Sequence, residues 1–225
     1  MTTAFTYNED QAAAADGGSS EYLLESAVVR GTITAARWTL ANNSRAEFLQ
    51  FDFETEQGKK ANYINLIFKD KEGKPLQFGE ERIQALMGCT GAQSLSRVQK
   101  GQEVTCPELV GRKVALALEV RYFPKTNSDK PGFGFDVKAI MSAKSGITIG
   151  EHREGKGPES KEYWAGQFAA NPHGNKAEVE AKMAGGAPAG QGAPQQQGGG
   201  FSYGAPDPGG PAPGAPEDFD DEIPF

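Results

Sequence analysis

The chain has 225 residues, enough for one domain of ordinary size with an additional segment, or for two small domains. Hydrophobic residues make up 37%, and 29 Gly with 14 Pro mark part of the chain as unable to pack. The formal charge of -7 argues against a polyanionic partner only if it is evenly spread, and it is not: residues 183–225 hold six acids and no Lys or Arg, while residues 21–149 hold 18 bases against 15 acids.

The start, "MTTAFTYNEDQAAAADGGSS", has no basic segment followed by an apolar one, so no secretory signal is expected. No apolar run approaches about 18 residues, which leaves no candidate for a spanning helix. Two cysteines, Cys89 and Cys106, fit a reduced intracellular protein.

Residues 1–20 read as a flexible arm. "AVVRGTITAARWTL" (27–40) is β-branched and roughly alternating, and predicts a first strand. "ANNSR" turns the chain. "AEFLQFDFETE" (46–56) places Leu49, Phe51 and Phe53 on one face and Gln50, Asp52 and Glu54 on the other. After a "QGKK" turn, "ANYINLIFKD" (61–70) puts Ile64, Leu66 and Phe68 inward.

The period then changes. "EERIQALMGCTG" (80–91) sets Ile83, Leu86 and Met87 at helical spacing, with Gly88 and Gly91 where the helix should stop. A long polar connection follows, with a short strand expected around Val104. "KVALALEVRYF" (113–123) and "FDVKAIMS" (135–142) are the last two strands, joined by the loop "PKTNSDKPGFG". Three strands, a helix and two strands is the order of a five-stranded OB-fold barrel, so the expected class is all-β with one short helix over residues 21–149.

Residues 150–184 have helical composition broken by Pro172 and Gly174, and read as a partly helical linker. Tyr163, Trp164 and Phe168 could dock on the body or on another subunit, or sit in a transient helix. Residues 185–216, "GGAPAGQGAPQQQGGG" and its continuation, cannot bury enough apolar surface to fold and read as a disordered tether. Residues 217–225 form an acidic tip.

Catalytic constellations are sparse. The two histidines, His152 and His173, lie beyond the expected barrel, and the two cysteines form no CxxC pair. Neither GxxxxGK[ST] nor GxSxG occurs. Asp52, Glu54 and Glu56 share a strand face, but a solvated face explains them better than a Mg²⁺ site. The expectation is therefore no enzyme, no cofactor and no metal.

Single-stranded nucleic acid requires cations along phosphates and aromatic faces under bases. The body interleaves both. Candidates on the first three strands and their turns are Arg30, Arg37, Trp38, Arg45, Lys59, Lys60 and Tyr63. Trp38 falls opposite Val29 and Ile33, on the strand face of Arg30, and Tyr63 alternates against Ile64 and Leu66; each is open to two readings, an exposed stacking platform or an edge of the core. In "RYFPKTNSDKPGFGF" the candidates are Arg121, Phe123, Lys125, Lys130 and Phe133. Asp52 and Glu54 disagree with phosphate binding, so either DNA avoids that stripe or the faces are reversed.

The end of the chain is the most specific feature. Acidic tails usually serve solubility. This one closes on Ile223, Pro224 and Phe225, apolar groups that suit a partner pocket capturing a ring and an α-carboxylate. "DFDDEIPF" resembles the tip of bacterial single-stranded DNA-binding proteins, with Glu222 where the family usually has Asp. The sequence of a barrel, a Gly/Pro/Gln-rich tether and an acidic tip resembles that family too.

The body departs from the common bacterial pattern and looks more like bacteriophage or prophage members. The resemblance implies sequence-independent binding and protection of single-stranded DNA. It also implies recruitment of replication, recombination and repair proteins through Asp218, Asp220, Asp221, Glu222, Ile223, Pro224 and Phe225, in the bacterial cytoplasm or nucleoid. The family's homotetramer does not carry over directly, so a homo-oligomer stays open. An alternative is an interaction or inhibitor protein that binds no DNA and copies the tip to occupy host repair factors.

Overall fold

In the computed structural model, residues 21–42, 44–125, 128 and 130–184 are described. The arm 1–20, the tether 185–216 and the tip 217–225 lie outside them. The described chain is mostly β, with seven strands and a few helices. The strands are β1 (Ala27–Leu40), β2 (Glu47–Thr55), β3 (Lys60–Lys69), β4 (Val98–Lys100), β5 (Glu103–Thr105), β6 (Lys113–Phe123) and β7 (Gly132–Met141). The helices are α1 (Gln77–Thr90), α2 (Ile149–Arg153), α3 (Glu159–Ala170) and α4 (Lys176–Ala184).

All ladders are antiparallel. β1 is the hub. It pairs with β2 along one edge, while its other edge pairs with β6 at residues 27–32 and with β5 at residues 37 and 38. β3 follows β2, β7 follows β6, and β4 follows β5. The sheet is open: β3 comes close to β7, but no ladder joins them among the described residues. Two of the seven strands belong to the β4–β5 hairpin, in the connection where only a short strand near Val104 was expected.

Alternation in the sequence becomes burial in the fold. Leu49, Phe51 and Phe53 of β2 and Ile64 and Leu66 of β3 are fully buried or nearly so, facing Ile33, Leu116 and Leu118. Each such side chain stabilises the fold by about 1.5–3 kcal/mol through area removed from water. α1 covers one end of this core with Ile83 and Leu86. It stops at Gly91, whose left-handed backbone (φ 71°) lets its N–H donate to the Met87 carbonyl. Gly79 has no room for a side chain, since a Cβ there would lie 1.8 Å from the Ile67 carbonyl oxygen.

Within residues 149–184, α3 and α4 pack on the sheet, while α2 lies against α1. Thr148 and Glu151 form a reciprocal capping box at α2, and the Ser160 N–H of α3 donates to Glu151. Phe168 of α3, 6% exposed, joins Ala115, Ala117 and Met141 in a second apolar cluster with Trp164 beside it. The Asn175 amide holds both backbone groups of Tyr122. Of the options left open for the aromatic trio, docking on the body is the one Phe168 adopts; Tyr163 stays exposed.

Candidate nucleic-acid interface

Two β-bulges set the geometry of the β1–β2–β3 surface. Ile33 pairs with Phe53 and Ala35 with Asp52, so Thr34 is an extra residue on β1. That insertion resets the alternation. Before it Ile33 points inward; after it Ala36 and Trp38 do, and Arg37 turns outward. Trp38 is therefore half-buried, not outward with Arg30. Its ring meets Phe68 edge-on at 5.5 Å and its indole N–H donates to the Ser96 carbonyl at 2.9 Å.

The second bulge lies on β3. Phe51 pairs with Ile64 and Phe53 with Ala61, so Asn62 and Tyr63 together face Asp52. Tyr63 takes a left-handed backbone (φ 59°), the one described non-glycine residue to do so. For an aromatic residue this conformation is strained, and such strain concentrates at functional positions. It leaves the Tyr63 side chain outward, with the residue 65% exposed.

A polar network fixes that position. The Tyr63 N–H donates to Asp52 Oδ1 at 2.8 Å. Arg37 donates to Asp52 Oδ2 at 3.1 Å and to Gln50 Oε1 at 2.7 Å. The Gln50 amide donates to Asn65, and Asn65 in turn to the Tyr63 carbonyl. The Arg37 guanidinium carbon sits 5.2 Å from the Tyr63 ring centroid. One ring is thus held by a cation and by satisfied backbone bonds, and a planar base can stack on it at low ordering cost.

The faces of β2 are as the alternation predicted. Asp52 and Glu54 do point outward, but Arg37 neutralises Asp52. The repulsive stripe is reduced to Glu54.

Beside this surface runs a groove of about 420 Å³ between β1, the start of β2 and the β4–β5 hairpin. Arg37, Trp38, Glu47, Gln50, Arg97 and Gln102 are among its lining residues. Glu47 accepts from Lys69 at 2.6 Å and from Arg97 at 2.7 Å. The Lys69 hydrogen bond and then that of Arg97 hold its carboxyl below the ordinary carboxylate range. Arg97 also lies 4.8 Å over the Trp38 ring.

Arg97 was not among the residues singled out in the sequence. It lies in the long polar connection, where no periodicity marks a side chain as facing the sheet.

The other candidates are dispersed. Arg30 is exposed on β1, Arg45 in the β1–β2 turn, and Lys59 in the β2–β3 turn. Lys60 is paired with Glu21. Arg121 pairs with Asp136 at 3.2 Å, and Phe123 is exposed at the end of β6. Lys125 and Lys130 are exposed in the β6–β7 connection. Phe133 is half-buried among Tyr22, Tyr122 and Phe135. The structure gathers Arg37 and Tyr63 on the outer face of β1–β3, turns Trp38 to the opposite face of β1, and sets the β6–β7 residues on a separate hairpin.

Among the described residues no cluster of His, Cys, Asp or Glu could hold a metal ion, and no helix is long and apolar enough to cross a membrane. The tip residues Asp218, Asp220, Asp221, Glu222, Ile223, Pro224 and Phe225 lie outside the described residues. No protein family and no curated protein sequence matches the chain.

Proposed function

We propose that the chain is a non-enzymatic protein that binds and protects single-stranded DNA without sequence preference. In this reading its acidic tip recruits replication, recombination and repair proteins in the bacterial cytoplasm or nucleoid, in a bacteriophage or prophage setting. The observation that carries the reading is Tyr63: an outward ring in strained backbone, backed by Arg37, on β3 at the edge of the β1–β2–β3 surface. A solvated strand face has no use for either the strain or the cation.

The strand order supports an OB-fold barrel as the finer description. β1 bonds β2 and β6, β6 bonds β7, α1 falls between β3 and β6, and β3 runs close to β7. In that barrel the ligand surface is strands 2 and 3 with the adjoining loops; Tyr63 lies on strand 3, and Arg37 reaches it from strand 1. The inhibitor reading draws on the near-neutral body and on Asp52 and Glu54; the Arg37–Asp52 pair takes Asp52 out of that support.

The test is titration of the full chain with oligo-dT at low salt, where absence of binding would sink the proposal. Deleting Ile223, Pro224 and Phe225 should leave DNA binding intact or tighter and abolish association with tip-binding repair proteins. Unchanged association would reject the docking role.

A further inference from the structure

We propose that Arg97 and Lys69 form a backbone-phosphate site whose place is held in the unliganded protein by the Glu47 carboxylate, and that a phosphate arriving there draws Arg97 off the Trp38 ring. The inference rests on the single-stranded DNA reading and adds a site and a rearrangement to it.

Glu47 is placed as an internal stand-in for phosphate. Each carboxylate oxygen takes one cation, Oε1 from Lys69 and Oε2 from Arg97. Its side chain is 16% exposed, whereas that of Arg97 is 51% exposed. The anion is thus inside and the Arg97 fork outside, facing the groove. A phosphodiester also offers two anionic oxygens and one negative charge, and like a carboxylate it can take the planar guanidinium bidentately. Half-exposed ion pairs are weak and salt-screened, so a strand bringing several phosphates can compete for Arg97.

The consequence falls on Trp38. Arg97 lies over its ring, and also 5.8 Å from the Phe68 centroid. The indole is held from two other sides, by the Ser96 carbonyl and the edge of Phe68. Moving Arg97 toward phosphate uncovers the ring while those two contacts keep its orientation. A base can then stack on Trp38, which the closed arrangement shields.

The experiment uses full-length chain and oligo-dT, with Trp164→Phe so that Trp38 is the only tryptophan and its fluorescence reports stacking. Glu47→Gln removes the competing charge and should tighten binding about tenfold. Glu103→Gln removes the same charge from the same groove, at a residue with no bond to Arg97 among the described residues, and should tighten it markedly less. Arg97→Ala should weaken binding and lower the slope of log K against log salt by about one. Oligo-dT should quench Trp38. A urea midpoint for each variant, and binding in the background carrying both tryptophans, keep a folding defect from being read as a binding one.

If the parent protein binds oligo-dT but Glu47→Gln has no more effect than Glu103→Gln, the phosphate site is overturned and the DNA reading stands. Binding with an unaltered Trp38 signal, or an Arg97→Ala variant with parental affinity and salt slope, overturns it as well. If the parent protein does not bind oligo-dT at low salt, both fall.

Discussion

The backbone N–H of Tyr63 is bonded to Asp52 Oδ1 at 2.8 Å, across a bulge where two residues of β3 oppose one of β2. The same Asp52 is clamped by Arg37, whose guanidinium lies against the Tyr63 ring. One carboxylate thus fixes both the strained backbone and the cation that backs the ring.

Tyr63→Gly separates strain from function. Glycine adopts the left-handed conformation without the penalty of about 1–2 kcal/mol that other residues carry. Stability should be unchanged or raised, by up to about 1 kcal/mol in urea unfolding. Oligo-dT affinity should fall about tenfold, the low end of what one stacked base contributes. Tyr63→Phe should retain the affinity. A glycine variant with parental affinity would remove Tyr63 from the interface.

Glu47 predicts a pH dependence of stability. Its hydrogen bonds to Lys69 and Arg97 lower its pKa in the folded state below the usual 4.5. The stabilisation is therefore complete above pH 4.5 and is lost as pH falls through the folded value. The difference in urea midpoint between parent and Glu47→Gln should be largest at about pH 7 and shrink as the pH falls below 4.5. A difference independent of pH would mean the carboxylate's charge contributes nothing.

Phe168 predicts that α3 is part of the folded body. Phe168→Ala should cost about 3–5 kcal/mol, the usual range for emptying a buried aromatic site. Tyr163→Ala, at an exposed position of the same helix, should stay within about 0.5 kcal/mol. Equal effects would contradict the packing of this helix on the sheet.

The two thiols should be inert while the chain is folded. Burial pushes Cys89 up to about 11. Burial, and then the charge of Glu108, push Cys106 up to about 12. At about pH 8 a thiol-reactive dye should label neither until denaturant is added, because the thiolate is the reacting form. Rapid labelling of either in native buffer would contradict the packing around it.

Much of the architecture is legible in the residues. The inward sets Leu49, Phe51, Phe53 and Ile64, Leu66 follow directly from period-two alternation, and α1 from the spacing of Ile83 and Leu86 with Gly91 as its stop. The outward position of Tyr63 was legible for the same reason. The position of Trp38 was not, because Thr34 is an ordinary strand residue and nothing in "TITAARW" marks it as the bulge that resets alternation.

Arg97 and the β4–β5 hairpin were hidden for a different reason. Their placement depends on tertiary bonds such as Trp38 to Ser96, not on local periodicity. The packing of residues 149–184 depends likewise on single anchors, Phe168 and Asn175, in a stretch whose composition alone is that of a linker.

The most direct measurement is equilibrium titration of the full-length protein with labelled oligo-dT and with a mixed-sequence strand of equal length, at about 50 and about 200 mM salt. Tight binding of both is expected at the lower salt, with similar affinities for the two and a clear loss at the higher salt. No binding of either strand at the lower salt would contradict it.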